Sequence, residues 1–164
     1  MEDSLTVIDR IRAEHDTIRD HVKLVGESVS DEEALASLRR TRSDWIPGRS
    51  DIVAEKQKTL GQMLKSLDEG LTNHFELEES LLPPLLGEVF MRGLAREHSQ
   101  IMDAVNEAMS VVATAELEGL EREQLLSRES QMQQMIDNLS QLIADHAARE
   151  EALLSLLERG LREE

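Results

Sequence analysis

The sequence contains no cysteine and no tyrosine, and its aromatic residues are two phenylalanines and one tryptophan. The lack of cysteine excludes disulfides, thiol catalysis, iron–sulfur clusters and thiolate zinc sites. So few aromatic residues argue against a β-sandwich or a β-barrel. No apolar run approaches the ~20 residues of a membrane-spanning helix, and the N-terminal stretch MEDSLTVIDR lacks the long apolar segment of a signal peptide. We therefore expect a cytoplasmic protein with no membrane partner.

Charge and composition narrow the class further. The chain has 34 acidic and 18 basic residues, a formal net charge of −16, and such a surface repels nucleic acid. Glycine and proline are scarce, at 8 and 3 residues, while Leu, Ala, Glu, Met and Arg are abundant. This composition favours helix. At 164 residues we expect a single domain, 1–164, with a substantial core.

Apolar residues recur in steps of three and four along four long stretches, which predicts four amphipathic helices. Short connections between long helices are typical of an up-down-up-down four-helix bundle, an all-α fold. The predicted helices cover 4–29, Ser50 or Asp51 to the Pro83–Pro84 pair, Gly87 to Ala115, and Glu118 or Gly119 to Gly160. The apolar residues expected to face inward on the last three helices are, in order, Leu60, Leu64, Leu67 and Leu71; Leu94, Ile101, Val105 and Val112; and Met135, Leu139, Leu142, Leu153 and Leu157.

About twenty residues between the first two helices form the irregular part of the pattern. Ser30 or Asp31 can cap a short extra helix there, and Pro47 and Gly48 end the segment. We expect Trp45 to pack over an edge or an end of the bundle.

Histidines and glutamates occupy places in the apolar stripes where the helical period calls for leucine or isoleucine. His74 and Glu78 lie four residues apart, as do His146 and Glu150, so each pair shares one helix face. His15 and His98 lie in matching stripes of the other two helices. At ~1.5 Å per residue all six fall at about one level of a bundle. Unpartnered carboxylates are costly to bury, so this pattern indicates a dinuclear metal site.

Imidazole nitrogens suit iron, manganese, copper and zinc, and a carboxylate can bridge two cations. We assign His15 and His74 to one metal ion and His98 and His146 to the other, with Glu78 and Glu150 bridging. Water, an oxo bridge or a small exogenous ligand would complete each coordination sphere. The predicted metal ligands are His15, His74, Glu78, His98, His146 and Glu150, and no catalytic side chain is assigned.

Acidic residues flank several of these ligands. Glu14, Glu97 and Asp145 each precede a predicted ligand and could accept hydrogen bonds from imidazole N–H groups, whereas Glu79 and Glu151 follow the two predicted bridging glutamates. Because adjacent helix positions diverge by ~100°, we expect them at the surface instead.

The segments IRAEH, HFELEESLLPPLL, AREHSQI and HAAREEALLSLL, with their order of His, His-x-x-x-Glu, His, His-x-x-x-Glu, resemble the hemerythrin-like, or HHE cation-binding, family over about 15–150. The resemblance implies two iron ions, with manganese or zinc as alternatives, bridged by an oxo or hydroxo group. It also implies chemistry with dioxygen, peroxide, nitric oxide or iron itself. The chain departs from the oxygen carriers of the family at Met102, where they have a second histidine, and at Glu150, where they have aspartate.

Two classes of function remain open. A binding protein would sense, store or scavenge dioxygen, nitric oxide or iron; an enzyme would decompose peroxide, reduce nitric oxide or repair an iron centre. The sequence offers no tyrosine, cysteine or flavin motif as an internal electron donor, so an enzyme would need an electron-donor protein or would dismutate peroxide. The expected partner is a small diatomic or peroxide ligand. A metal-free structural bundle is the third alternative.

Overall fold

The computed structural model describes residues 4–11, 29–45, 53–117 and 119–162. Within these ranges the fold is all-α, with five helices and no strand. None of the helices there combines the length and apolarity needed to span a bilayer. The helices are α1 over 4–11, α2 over Asp31–Arg42, α3 over Val53–Leu81, α4 over Pro83–Thr114 and α5 over Arg122–Arg162; a 3-10 turn, Ser43–Trp45, follows α2.

Helix α2 begins with a side-chain cap from Ser30, whose hydroxyl accepts a hydrogen bond from the backbone N–H of Glu33. Acidic residues fill its first turn and basic residues its last, which suits the helix dipole. The backbone N–H of Val29 donates to the carbonyl of Gly70 at 2.9 Å, which fixes the start of α2 against α3. The sequence left the cap open between Ser30 and Asp31, and the structure assigns it to Ser30.

The corner between α3 and α4 is built by proline and glycine. Leu82 separates the two helices, and Pro83 takes the first position of α4, where its missing N–H costs nothing. Gly87 interrupts the helical backbone with φ 75° and ψ 170°, a left-handed conformation that glycine adopts without steric penalty. The long regular part of α4 therefore starts after Gly87, where the sequence pattern placed its beginning.

The main apolar core lies between α2, α3, α4 and α5 and includes Trp45, which is fully buried. A smaller cluster joins Ile8 and Ile11 of α1 to Leu94 and Leu154. This cluster attaches α1 to the parts of α4 and α5 that flank the polar residues described below.

The apolar stripes match the expected ones closely in α3 and α4 and less closely in α5. Leu60, Leu64, Leu67 and Leu71 of α3 are buried as expected. In α5 the buried positions include Ile136, Ile143 and Leu154, whereas Met135, Leu142, Leu153 and Leu157 are only half-buried. The expected α5 stripe was thus displaced by one residue at several positions, because leucine and isoleucine occur side by side there.

Candidate metal centre

Five of the six predicted metal ligands lie within the described residues, and all five are buried. Helix α3 supplies His74 and Glu78, both fully buried, and α4 supplies His98, which is 3% exposed. Helix α5 supplies His146 and Glu150, at 1% and 4% exposure. The predicted first-helix ligand, His15, lies outside the described residues.

One group of potential ligand atoms joins three helices. Atoms of Glu78, His98, His146 and Glu150 all lie within 4.8 Å of one another. The Nε2 of His98 is 3.7 Å from Oε1 of Glu78, and the Nε2 of His146 is 3.1 Å from Oε2 of Glu150. Ligand atoms ~2.0–2.2 Å from a common ion are at most ~4.4 Å apart, so shifts of a few tenths of an ångström would suit this group to one ion.

A second group shares Glu150 with the first. It contains Asp31, His74 and Glu150, again with one ligand atom of each within 4.8 Å of the others. The Nε2 of His74 also lies 3.0 Å from Oε1 of Glu78, so Glu78 is within reach of both groups. The two groups separate His74 from the pair His98 and His146 and place Glu150 in both.

Sequence reasoning missed Asp31 as a site residue. The sequence pattern indicates Asp31 only as a possible helix cap, yet its side chain is 3% exposed and lies beside the predicted ligands. The signal is weak in the sequence because Asp31 lies at the start of α2, outside the four long stripes. Its position depends on how α2 packs between α3 and α5, which periodicity does not define.

The outward-facing nitrogens of two histidines meet acidic residues of other helices. The Nδ1 of His146 lies 2.9 Å from Oε1 of Glu97 on α4, and Arg149 donates from Nε to Oε2 of the same carboxylate at 2.7 Å. The Nδ1 of His98 lies 3.3 Å from Oε2 of Glu79 on α3. Hence Glu97 is not merely a surface residue: it is adjacent to His98 in sequence but orients the imidazole of His146.

Phe75 gives His98 a further contact that the sequence did not reveal. The two rings stack with centroids 3.9 Å apart and planes 6° from parallel. His146 meets the edge of the same phenyl ring, at 5.7 Å. Phe75 therefore restricts the rotation of both imidazoles from the apolar side of the site.

Three buried carboxyl groups lie close together at the site and alter one another's pKa values. Burial and the charge of Glu150 raise the pKa of Asp31 from 3.8 to about 6. Burial, followed by a hydrogen bond shared with Glu150, raises the pKa of Glu78 well above its ordinary value. Burial also opposes ionisation of Glu150, but hydrogen bonds from Glu78 and His146 prevail and lower its pKa to about 2. The metal-free site thus retains protons that a cation would displace.

The pKa values of the two imidazoles also shift in opposite directions. Burial and the neighbouring charge of His146 lower the pKa of His98 to about 3. Burial disfavours the charged form of His146 too, yet the carboxylates of Glu150, Asp31 and Glu97 raise its pKa to about 9. His98 is therefore neutral, the form that binds metal, over the whole physiological range.

The donor set fits a divalent or trivalent transition metal. Both groups offer only imidazole nitrogen and carboxylate oxygen, the donors that suit iron, manganese and zinc. Among the described residues, Oδ1 of Asp31 and Nε2 of His98 are buried without a hydrogen-bond partner. Buried polar atoms are ordinarily satisfied, and a cation at each group would satisfy these two.

Comparison with known families agrees with this chemistry. The family model described as "Hemerythrin HHE cation binding domain" matches residues 6–157. The comparisons with curated proteins and with solved structures gave no match. Because the family model covers nearly the whole chain, the protein belongs to the hemerythrin HHE cation-binding family.

Proposed function

We propose that the protein holds two iron ions, one at each group of ligand atoms, and binds a small ligand at that pair. The observation that carries the proposal is the membership of Glu150 in both groups. A carboxylate shared by two clusters of donors is the arrangement that bridges two cations. Manganese and zinc fit the same donors and are the alternatives.

The two groups of ligand atoms suggest which residues hold each ion. Glu78, His98, His146 and Glu150 hold one ion, and His74 with Glu150 begins the set of the other. His15 is retained as a ligand of the His74 ion on the sequence pattern alone. So few protein donors leave room on each ion for solvent or an exogenous ligand.

A bound iron pair would supply reversible binding of, or electron exchange with, dioxygen, nitric oxide or peroxide. The residues of the chain would orient and desolvate the site. Phe75 covers one side of His98, and the Glu97–Arg149 pair holds His146 in one orientation. We propose binding or sensing as the primary role, since the sequence contains neither tyrosine nor cysteine as an internal electron donor.

The fold proposed around this centre is an up-down-up-down four-helix bundle. Its long helices would be the predicted first helix, 4–29, of which the structure describes 4–11 as α1, together with α3, α4 and α5, and α2 would be the short extra helix. Helix α1 supports this arrangement through Ile8 and Ile11, which pack beside Leu94 and Leu154. A cytoplasmic location stays a prediction.

Metal analysis tests the dinuclear proposal. The full chain is stripped with a chelator, incubated anaerobically with Fe²⁺, desalted and analysed for iron and protein. We expect two ions per chain. Recovery of the protein folded but with no bound iron, manganese or zinc would leave only the alternative of a structural helical domain.

Optical spectroscopy then tests the open position. Azide added to the oxidised iron protein, or nitric oxide added to the reduced protein, is expected to change the absorption spectrum with saturation. Unchanged spectra with both would contradict the small-ligand proposal. Stopped-flow mixing with peroxide separates the two classes, because only an enzyme consumes it over many turnovers.

A further inference from the structure

We infer that Asp31 is a metal ligand, so that α2 contributes a carboxylate to the ion held by His74 and Glu150. This inference rests on the proposed function, since it requires a cation at that group. It makes the connection between the first two long helices part of the metal site.

The position of Asp31 carries the inference. Its side chain is 3% exposed, and one of its oxygens lies within 4.8 Å of ligand atoms of both His74 and Glu150. Within the described residues its Oδ1 has no hydrogen-bond partner. A buried carboxylate in this condition is costly, and a cation at the group removes the cost.

A purely structural role does not account for this placement. An aspartate at a helix start ordinarily accepts backbone N–H bonds as the cap. Here Ser30 is the cap, with its hydroxyl 3.2 Å from the backbone N of Glu33. Asp31 is one position further along and turns its carboxylate towards α3 and α5 instead.

The count of donors points the same way. Without Asp31 the second group retains, among the described residues, the imidazole of His74 and the carboxylate of Glu150, with Glu78 also within reach of His74, and both glutamates belong to the first group. Asp31 adds a carboxylate that the first group does not share, and with it a further negative charge. A carboxylate also compensates the charge of a di- or trivalent ion better than a further imidazole would.

The backbone holds Asp31 in place by contacts that involve no metal. The N–H of Val29 bonds to the carbonyl of Gly70, one helical turn before His74. At the other end of α2, Arg42 bonds to both carboxylate oxygens of Asp137 on α5. The start of α2 is thus positioned to present a ligand, and replacing Asp31 removes the donor without removing these contacts.

The test compares Asp31→Asn with Glu32→Gln. Each change removes one carboxylate from the first turn of α2, so both variants weaken the interaction with the helix dipole, but Glu32 is exposed and belongs to neither ligand group. Metal-free full-length protein is titrated with Zn²⁺ by calorimetry and with Co²⁺ by absorption. We expect two ions per chain for wild type and Glu32→Gln. Asp31→Asn should bind one ion normally and the second at least tenfold more weakly.

Two further measurements distinguish metal binding by Asp31 from a purely structural role. If Asp31 is a ligand, metal-free Asp31→Asn should melt at or above the wild-type temperature, while the zinc-loaded variant melts below loaded wild type. Asp31→Glu, which retains a carboxylate, should recover part of the second site. Wild-type affinity for both ions in Asp31→Asn, or equal destabilisation of its metal-free and loaded forms, would overturn the inference. Wild-type protein that binds no ion would instead overturn the proposed function.

Discussion

Two clusters of buried charged residues in this protein differ in how their charge is compensated. Lys56 of α3 and Glu129 of α5 form a pair with Nζ and Oε2 2.9 Å apart, and the ammonium also lies 5.1 Å from the centre of the Trp45 ring. This pair balances its own charge. The metal centre begins at His74, eighteen residues further along α3 than Lys56, or ~27 Å. It brings together the three carboxylates of Asp31, Glu78 and Glu150, with no lysine or arginine in either ligand group.

The excess of carboxylates distinguishes the metal centre from a structural ion pair such as Lys56 and Glu129. A cluster that satisfies itself, like Lys56 and Glu129, needs nothing more and fixes how two helices pack. A cluster with an excess of acceptors, with carboxyl pKa values raised by burial, is stable only when protons or a cation compensate it. Changes at the two clusters should therefore affect metal content and folding stability separately.

The largest effect is expected from Glu150→Gln. Because Glu150 belongs to both ligand groups, its loss should lower the iron content from two ions per chain to less than one. Glu151→Gln is the matched control, since its side chain is exposed on the same helix. Elemental analysis of the two variants side by side measures the effect; two ions retained by Glu150→Gln would refute the shared role.

A change at the Lys56–Glu129 pair should lower the folding stability and leave the metal content unchanged. Lys56→Met leaves Glu129 buried without its cation, which costs about 3–5 kcal/mol of unfolding free energy. Metal content per folded chain should stay unchanged. Urea denaturation measures the cost, with the exposed Lys58→Met as control and Lys56→Met/Glu129→Leu expected to recover most of the loss. A drop in metal content would show that the two clusters are coupled.

The sequence predicted the helices well because helical periodicity is local. His74, Glu78, His98, His146 and Glu150 are also brought together on buried faces, because their phase and depth can be counted along each helix. The start of α5 is predicted less accurately: the sequence places it at Glu118 or Gly119, whereas the helix begins at Arg122.

Contacts between helices were much harder to predict. Asp31 reaches the site only through the packing of α2 on α3 and α5. Glu97 contacts His146 rather than its sequence neighbour His98, because adjacent side chains point ~100° apart. The stacking of Phe75 on His98 similarly depends on the relative rotation of α3 and α4. Each of these required the tertiary structure.

An intermediate effect is expected in the pH dependence of the metal-free protein. The pKa of Asp31 is raised to about 6 in the folded state from 3.8, so between these values the folded chain retains a proton that the unfolded chain loses. Unfolding free energy should fall as pH rises through this window, by up to ~3 kcal/mol from this group, and the contribution should level off above about pH 6.

The difference between wild type and Asp31→Asn isolates this contribution from the other titrating groups. As pH rises from 4 to 6.5, the unfolding free energy of Asp31→Asn should increase relative to that of wild type, measured by chemical denaturation with chelator present. A difference independent of pH would show that the Asp31 carboxylate is ionised in the folded state throughout. Glu32→Gln, which removes an exposed carboxylate from the same turn of α2, is the control.

The smallest predicted effect concerns the support of a ligand rather than a ligand itself. Glu97 accepts from Arg149 and lies 2.9 Å from Nδ1 of His146. Such partners orient a metal-binding imidazole, and their loss costs about 10–100-fold in metal affinity. Glu97→Gln should therefore still bind two Zn²⁺ ions but hold the ion at His146 more weakly by that factor, measured by competition with a chromophoric chelator. Glu107→Gln, an exposed change on the same helix, is the control. Equal affinities in both variants would mean that stacking on Phe75 and packing alone position His146, and would remove Glu97 from the account of the site.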